Sequence, residues 1–259
     1  GAHQRDPHTR TVTLTVSRKS LLFVGLLTFV AAFVMMFPAR VAYDWFAPPA
    51  VQLSGLEGTI WSGSAAEVSA SGVYLRDLKW RLRPLRLVTG KLAASIEASP
   101  SSGFLETDIA AGLGGDILFS NVNGSLPLRD FATIARVPGL AGSASVQFER
   151  LRLRDGLPIA ADGSLAIADL VAPMVDPSSI GGYRAEFFTD DNAVVASVED
   201  VNGVFDLAGS LTVSADRNYQ FLGKVAATDN TSEKLRRQLR FLGTPNDRGQ
   251  HDIRLEGQL

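Results

Sequence analysis

Cysteine is absent from the 259 residues, and histidine occurs only at His3, His8 and His251. Without thiols there is no disulfide framework, no thiolate metal centre and no cysteine nucleophile. Two of the histidines lie in the first ten residues, so the rest of the chain cannot build a histidine triad or a zinc cluster from His251 alone. His251 is expected as a solvated residue at a strand start. Gly112-Leu113-Gly114-Gly115 lacks the Lys-Ser/Thr of a phosphate loop and is expected as a plain turn. The carboxylate pairs Asp190 with Asp191 and Glu199 with Asp200 sit in turn-like contexts, where such side chains bond their own backbone. No catalytic, cofactor-binding or metal-binding residue is expected, and no enzyme activity.

Charge of one sign is also scarce. Of 25 basic and 27 acidic residues, the first twenty positions hold four and one, which leaves 21 against 26 for the remainder. A mildly acidic body does not suit nucleic acid, whose phosphates ask for basic patches. The cluster Lys234, Arg236, Arg237 and Arg240 reads as a solvated helix face.

Long apolar runs are missing except for one. Leu21 to Phe37 is interrupted only by Gly25 and Thr28, and includes Leu21, Leu22, Phe23, Leu26, Leu27, Phe29, Phe33, Met35 and Phe37. As a helix it would cover about 26 Å, enough for a thin bilayer or a tilted span. A cleaved signal peptide has a shorter apolar core and a small-residue cleavage site, whereas Pro38-Ala39-Arg40 follows here. Arg5, Arg10, Arg18 and Lys19 before the run keep that flank in the cytoplasm. The expected organisation is a cytoplasmic tail (1–19), a transmembrane helix (20–40), a linker (41–50) and an outward-facing β domain (51–259).

From Leu53 onward, short segments rich in Val, Ile, Leu and Phe alternate with polar residues and are punctuated by Gly, Asp, Asn and Pro. Leu78, Trp80 and Leu82 alternate with Lys79, Arg81 and Arg83, and Leu151 and Leu153 with Arg150, Arg152 and Arg154. This pattern predicts about a dozen strands in an antiparallel meander with one buried and one wet face. Hairpin turns are expected at Asn123-Gly124, Asp155-Gly156, Asp162-Gly163, Asp190-Asp191-Asn192 and Asn202-Gly203. Two short helices are expected. One follows Pro127, with Leu128, Phe131 and Ile134 or Ala135 at helical spacing; the other is capped by Ser232, lined by Leu235, Leu239 and Leu242, and ended by Gly243 and Pro245. The fold class is mainly β: a single N-terminal transmembrane helix, then an extended, curved antiparallel sheet.

Two segments behind the apolar run stand out, Gly58-Thr59-Ile60-Trp61-Ser62-Gly63 and Leu78-Lys79-Trp80-Arg81-Leu82-Arg83-Pro84 with Gly90 six residues on. On physical grounds the glycines let a strand bend while Trp61 and Trp80 seal one end of the core; a docking role would need an exposed indole. These elements, the basic single anchor, and the closing Leu242-Gly243-Thr244-Pro245 and Ile253 to Leu259 with Gly257 resemble the general secretion pathway protein N family of type II secretion systems. The resemblance covers nearly the whole chain, more weakly over 100 to 180. Where that family tends to show an aromatic in the middle hairpins, Ala166 and Ala168 stand here.

The resemblance implies a single-pass inner-membrane component of the Gram-negative machinery that exports folded proteins, with its C-terminal domain in the periplasm and no catalysis of its own. Its expected partners are the inner-membrane bilayer and other secretion components. As the residues alone read, the sheet is a scaffold that pairs with partners by strand addition. The rival from another class is lipid handling, with an acyl chain held in the β-groove.

Overall fold

The computed structural model describes residues 18–46, 51–70, 73–112, 114–133, 135–191 and 193–258, and the chain divides into two units, one ending at Phe37 and one beginning at Pro38. The first unit contains α1 (Arg18–Met35). Its large apolar side chains from Leu22 to Met36 are exposed on all sides. The one hydroxyl among them, on Thr28, donates to the Val24 carbonyl one turn back at 2.8 Å. Among the described residues no helix is long and apolar enough to cross a membrane.

The second unit opens on α2 (Ala39–Phe46), which falls largely within the stretch expected as a linker. Strands follow almost without interruption: β1 (Val51–Ser54), β2 (Glu57–Gly58), β3 (Ser62–Ala70), β4 (Val73–Leu82), β5 (Lys91–Ser99), β6 (Phe104–Gly112) and β7 (Asp116–Pro127). They continue as β8 (Ala141–Arg154), β9 (Leu157–Val171), β10 (Tyr183–Asp190), β11 (Ala193–Asp200), β12 (Phe205–Val213) and β13 (Asn218–Ala227), then α3 (Glu233–Leu239) and β14 (His251–Gln258). All belong to one antiparallel sheet in which each strand from β3 on pairs with the next in sequence, while β1 and β2 both pair with β3. The expected meander is present.

The register shows how the two-residue period divides the sheet. One row across it runs Gly124, Val146, Leu165, Ala185, Val198, Gly209, Gly223 and Ile253. The adjacent row, pointing the other way, runs Asn123, Gln147, Ser164, Glu186, Ser197, Ser210, Leu222 and Arg254. One face is therefore apolar across the sheet and the other polar, because alternate side chains leave a strand on opposite sides. Cross-strand ion pairs join arginines to carboxylates, Arg150 to Asp162 at 2.6 Å and Arg154 to Asp116 at 2.6 Å. The hydrogen bond from Arg154 holds the Asp116 carboxyl below the usual carboxylate range.

The apolar face packs on itself in one region. Leu157 and Ala161 of β9, Val194 of β11 and Val213 of β12 form a buried cluster, with Phe148 and Phe187 against it at a ring separation of 5.3 Å. Strands β9 and β11 would stand about 10 Å apart in a flat sheet, so the sheet bends here. The bend coincides with register slips between β8 and β9 and with Gly163, where a Cβ would lie 2.5 Å from the Phe148 Cα.

Some expected turns are strand interior instead. Asn123-Gly124 lies within β7 and Asp162-Gly163 within β9. Asp155-Gly156 does turn between β8 and β9, with φ of 49° and 78°, and Asn202-Gly203 lies between β11 and β12. Asp191 sits in the turn after β10 with a φ of 41°, and Gly115 in the turn after β6; Asn192 and Leu113 lie outside the described residues. Glu199 and Asp200, expected in a turn, instead end β11, paired with Arg184 and Tyr183 of β10, and Asp200 accepts from the Leu207 amide of the neighbouring strand β12 at 3.0 Å.

The helix expected after Pro127 is a 3-10 turn over Leu128–Phe131, and Ile134 lies outside the described residues. Ser232 caps α3 by accepting from the Leu235 amide at 3.3 Å, and Leu235 and Leu239 are buried. Leu242 departs from the expected stripe: α3 ends at Leu239, a 3-10 turn follows, and Leu242 is exposed. His251 is also corrected: it starts β14 but is only 7 % exposed, opposite Val225 on β13, with no hydrogen-bond partner for Nδ1.

Leu157→Ala, in the bent core, is expected to cost about 2–5 kcal/mol, and Leu222→Ala, on the polar face, about 0.5 kcal/mol or less. Thermal melts followed by circular dichroism check the contrast; equal shifts would show that the face assignment is wrong.

Candidate interaction surfaces of the sheet

The Gly-Thr-Ile-Trp-Ser-Gly element forms a closed corner between β2 and β3. Gly58 is left-handed, with a φ of 86°, and a Cβ there would lie 2.5 Å from the Ser62 carbonyl oxygen. Thr59 then closes the turn twice: its amide donates to the Ser62 carbonyl at 2.9 Å, and its hydroxyl oxygen accepts from the Trp61 and Ser62 amides at 3.2 Å each. A Cβ on Gly63 would collide with the Glu57 carbonyl oxygen and the Trp80 ring, so the missing side chain is what lets the indole lie against the strand. Trp80 Nε1 donates to the Ile60 carbonyl at 3.2 Å. Both indoles at this corner, Trp61 of the element and Trp80 of β4, are half-buried.

The corner continues into the next hairpin. The Leu82 amide donates to the Trp61 carbonyl at 2.6 Å. Pro84 opens a 3-10 turn over Pro84–Thr89, and left-handed Gly90, at φ 69°, ends it. The structure thus brings together Gly58, Thr59, Trp61, Gly63 and Trp80, with Pro84 and Gly90 in the loop that follows. Gly243, Pro245 and Gly257 are not part of this group. Gly257 on β14 leaves room for the Tyr219 ring, whose hydroxyl oxygen would stand 2.7 Å from a Cβ there, and Pro245 lines a cleft with Leu239 and His251.

The sequence reading did not anticipate α2 packing over the first strands. Ala39, Ala42, Tyr43 and Phe46 recur at helical spacing, which was the available signal, and they face Leu53, Leu56 and Trp80 across an apolar groove of about 390 Å³. The Tyr43 hydroxyl fastens the helix, donating to the Val51 carbonyl at 3.0 Å and accepting from the Leu53 amide at 3.1 Å.

The two edges of the sheet differ. At one, β1 and β2 are four and two residues long, and α2 packs beside them. At the other, the eight-residue β14 pairs with β13 alone. Among the described residues no group of three His, Cys, Asp or Glu side chains gathers at a metal-sized site.

A family profile described as type II secretion system (T2SS), protein N matches residues 49–254. The chain belongs to the type II secretion system protein N family. Membership implies a role in the secretion system, with other secretion components as partners, and indicates no catalytic function. The protein N of Vibrio cholerae serotype O1 is 27 % identical over 252 residues, covering 92 % of this chain and 97 % of its own length. The protein N of Aeromonas hydrophila is 25 % identical over 226 residues, covering 82 % and 86 %. No solved structure matches. The match to the protein N family takes in the glycine-tryptophan corner and the first half of β14.

Gly63→Ala is expected to destabilise the β domain by about 1–3 kcal/mol, since either the backbone or the Trp80 ring must move. Tryptophan emission should shift to the red as the Trp80 indole loses its seat. An unchanged spectrum and melting temperature would show that the corner tolerates a methyl group.

Proposed function

We propose that this protein N family member is a non-enzymatic scaffold of the secretion machinery, tethered to the inner membrane by Leu21 to Phe37, with its β domain in the periplasm and strand β14 offered to another secretion component. The tether is supported by apolar side chains on every side of α1 and by the internal bond that hides the Thr28 hydroxyl. The orientation is supported by the basic residues before it.

The observation that carries the scaffold role is the open outer side of β14. An edge strand presents unpaired amides and carbonyls that a partner's extended segment can satisfy. Eight residues give such a segment several hydrogen bonds, whereas the short opposite edge gives few. Leu255, 56 % exposed on the apolar face, adds a side-chain contact.

A photocrosslinking residue placed in turn at each position 251–258 in secreting cells is expected to trap another secretion component at alternate positions. Crosslinks to such a component from elsewhere in the domain but none from β14 would overturn the edge assignment. Removal of residues 50–259 with the anchor kept should abolish co-purification with secretion components; unchanged co-purification would place all contacts in the anchor.

The apolar groove beside α2 supports a second reading, in which the domain holds a lipid acyl chain. Native mass spectrometry of the detergent-extracted protein is then expected to show a bound phospholipid, lost in Ala42→Leu, which narrows the groove. A lipid-free wild-type mass would remove this reading.

A further inference from the structure

The β4–β5 loop combines unusual exposure with a definite place in the fold. It runs from Arg83 to Lys91 around the 3-10 turn Pro84–Thr89. Leu85 is 85 % exposed and Leu87 is 43 % exposed. The loop also carries Arg83, Arg86 and Lys91 and no carboxylate. Arg83 pairs with Asp108 at 2.9 Å, and Lys91 stands exposed where the loop enters β5. Exposed leucine beside basic side chains is the composition of segments that seat apolar groups below lipid phosphates.

The location follows from backbone pairing inside the β unit. Pro38, its first residue, directly follows Phe37, the last residue of the apolar run. Pro38 bridges Thr59. Two residues on, the Trp61 carbonyl accepts from the Leu82 amide, and Leu82 is three residues before Leu85. The loop therefore sits at the end of the strands where the chain enters from the apolar run. The connections at the opposite end expose apolar side chains too, Met174 at 76 % after β9 and Phe241 at 90 % after α3, but the chain does not enter there.

We infer that the β4–β5 loop is a bilayer contact, with Leu85 and Leu87 seated at the boundary of headgroups and acyl chains and Lys91 at a lipid phosphate. This rests on the tether proposed above and gives the domain a second point on the same membrane surface. A domain held at two points has a set orientation, which a single flexible attachment does not provide.

The absence of cysteine makes the test direct, because one introduced cysteine carries the only label. Full-length Leu85→Cys and Met174→Cys, each with a nitroxide, are reconstituted in liposomes of phosphatidylethanolamine with phosphatidylglycerol. Relaxation by oxygen and by a water-soluble nickel chelate then reports depth. The label at 85 is expected to be relaxed more by oxygen, and the label at 174 more by nickel. Protein that stays in the liposomes through an alkaline carbonate wash but shows equal water access at both positions overturns the loop contact and leaves the tether standing. Equal burial of both labels overturns it as well, since the contact would not be specific to this end. Protein washed out of the liposomes overturns tether and loop together.

Discussion

The constraint on which the structure depends is that one sheet supplies both the skeleton and most of the core. Among the described residues, the second unit consists of the meander, α2, α3 and short 3-10 turns, so an apolar face spanning the strands has little of its own chain to pack against. Three partial solutions appear. The sheet bends so that β9 meets β11 and β12, α2 covers the first strands, and α3 buries Leu235 and Leu239. Elsewhere the apolar row is only half-buried, as at Val146, Leu165 and Ile253. A second layer would normally complete such a sheet.

Much of this architecture was legible in the residues because strand faces follow from a period of two. Leu78, Trp80 and Leu82 are half-buried while Lys79 and Arg81 are exposed, as their alternation implies. The errors have a common physical origin. Asn-Gly and Asp-Gly suit a left-handed turn, but glycine is also what a strand needs where a neighbour comes close. At Gly124 a Cβ would meet the Phe104 carbonyl oxygen at 2.8 Å, and at Gly163 the Phe148 backbone. These dipeptides therefore lie inside β7 and β9, which run to 12 and 15 residues, longer than the expected turn spacing allowed. One sequence signal serves two backbone geometries, and the choice between them depends on a strand distant in the chain.

The same ambiguity extends to polar residues. Asp77 and Asn121 adopt positive φ, at 51° and 53°, where the β4–β5 and β6–β7 registers slip. Short polar side chains tolerate that conformation at small cost, so a bulge can occur without glycine and leaves little trace in the sequence. For the candidate surfaces, the glycine-tryptophan corner was marked by its own composition, and its hydrogen bonds support the structural role over docking. The packing of α2 was less visible because eight residues next to a long apolar run do not announce a separate helix. The open edge at β14 could not be read from any residue, since strand order is a property of the whole sheet.

The glycine-tryptophan corner gains meaning from its place in the strand order. It lies where Pro38 joins the sheet through Thr59, so whatever force reaches the domain from the preceding segment arrives at this turn. A corner that ties Thr59 to Ser62, Trp61 to Leu82 and Trp80 to Ile60 spreads that load over β3 and β4 instead of leaving it on a single bridge. The edge at β14 is at the far side of the strand order, separated from the corner by every intervening strand. A partner paired there would be linked to the point of chain entry through a continuous ladder of backbone hydrogen bonds. On the function proposed above, that separation of attachment from docking is what an assembly scaffold requires, and it needs no reactive side chain at either end.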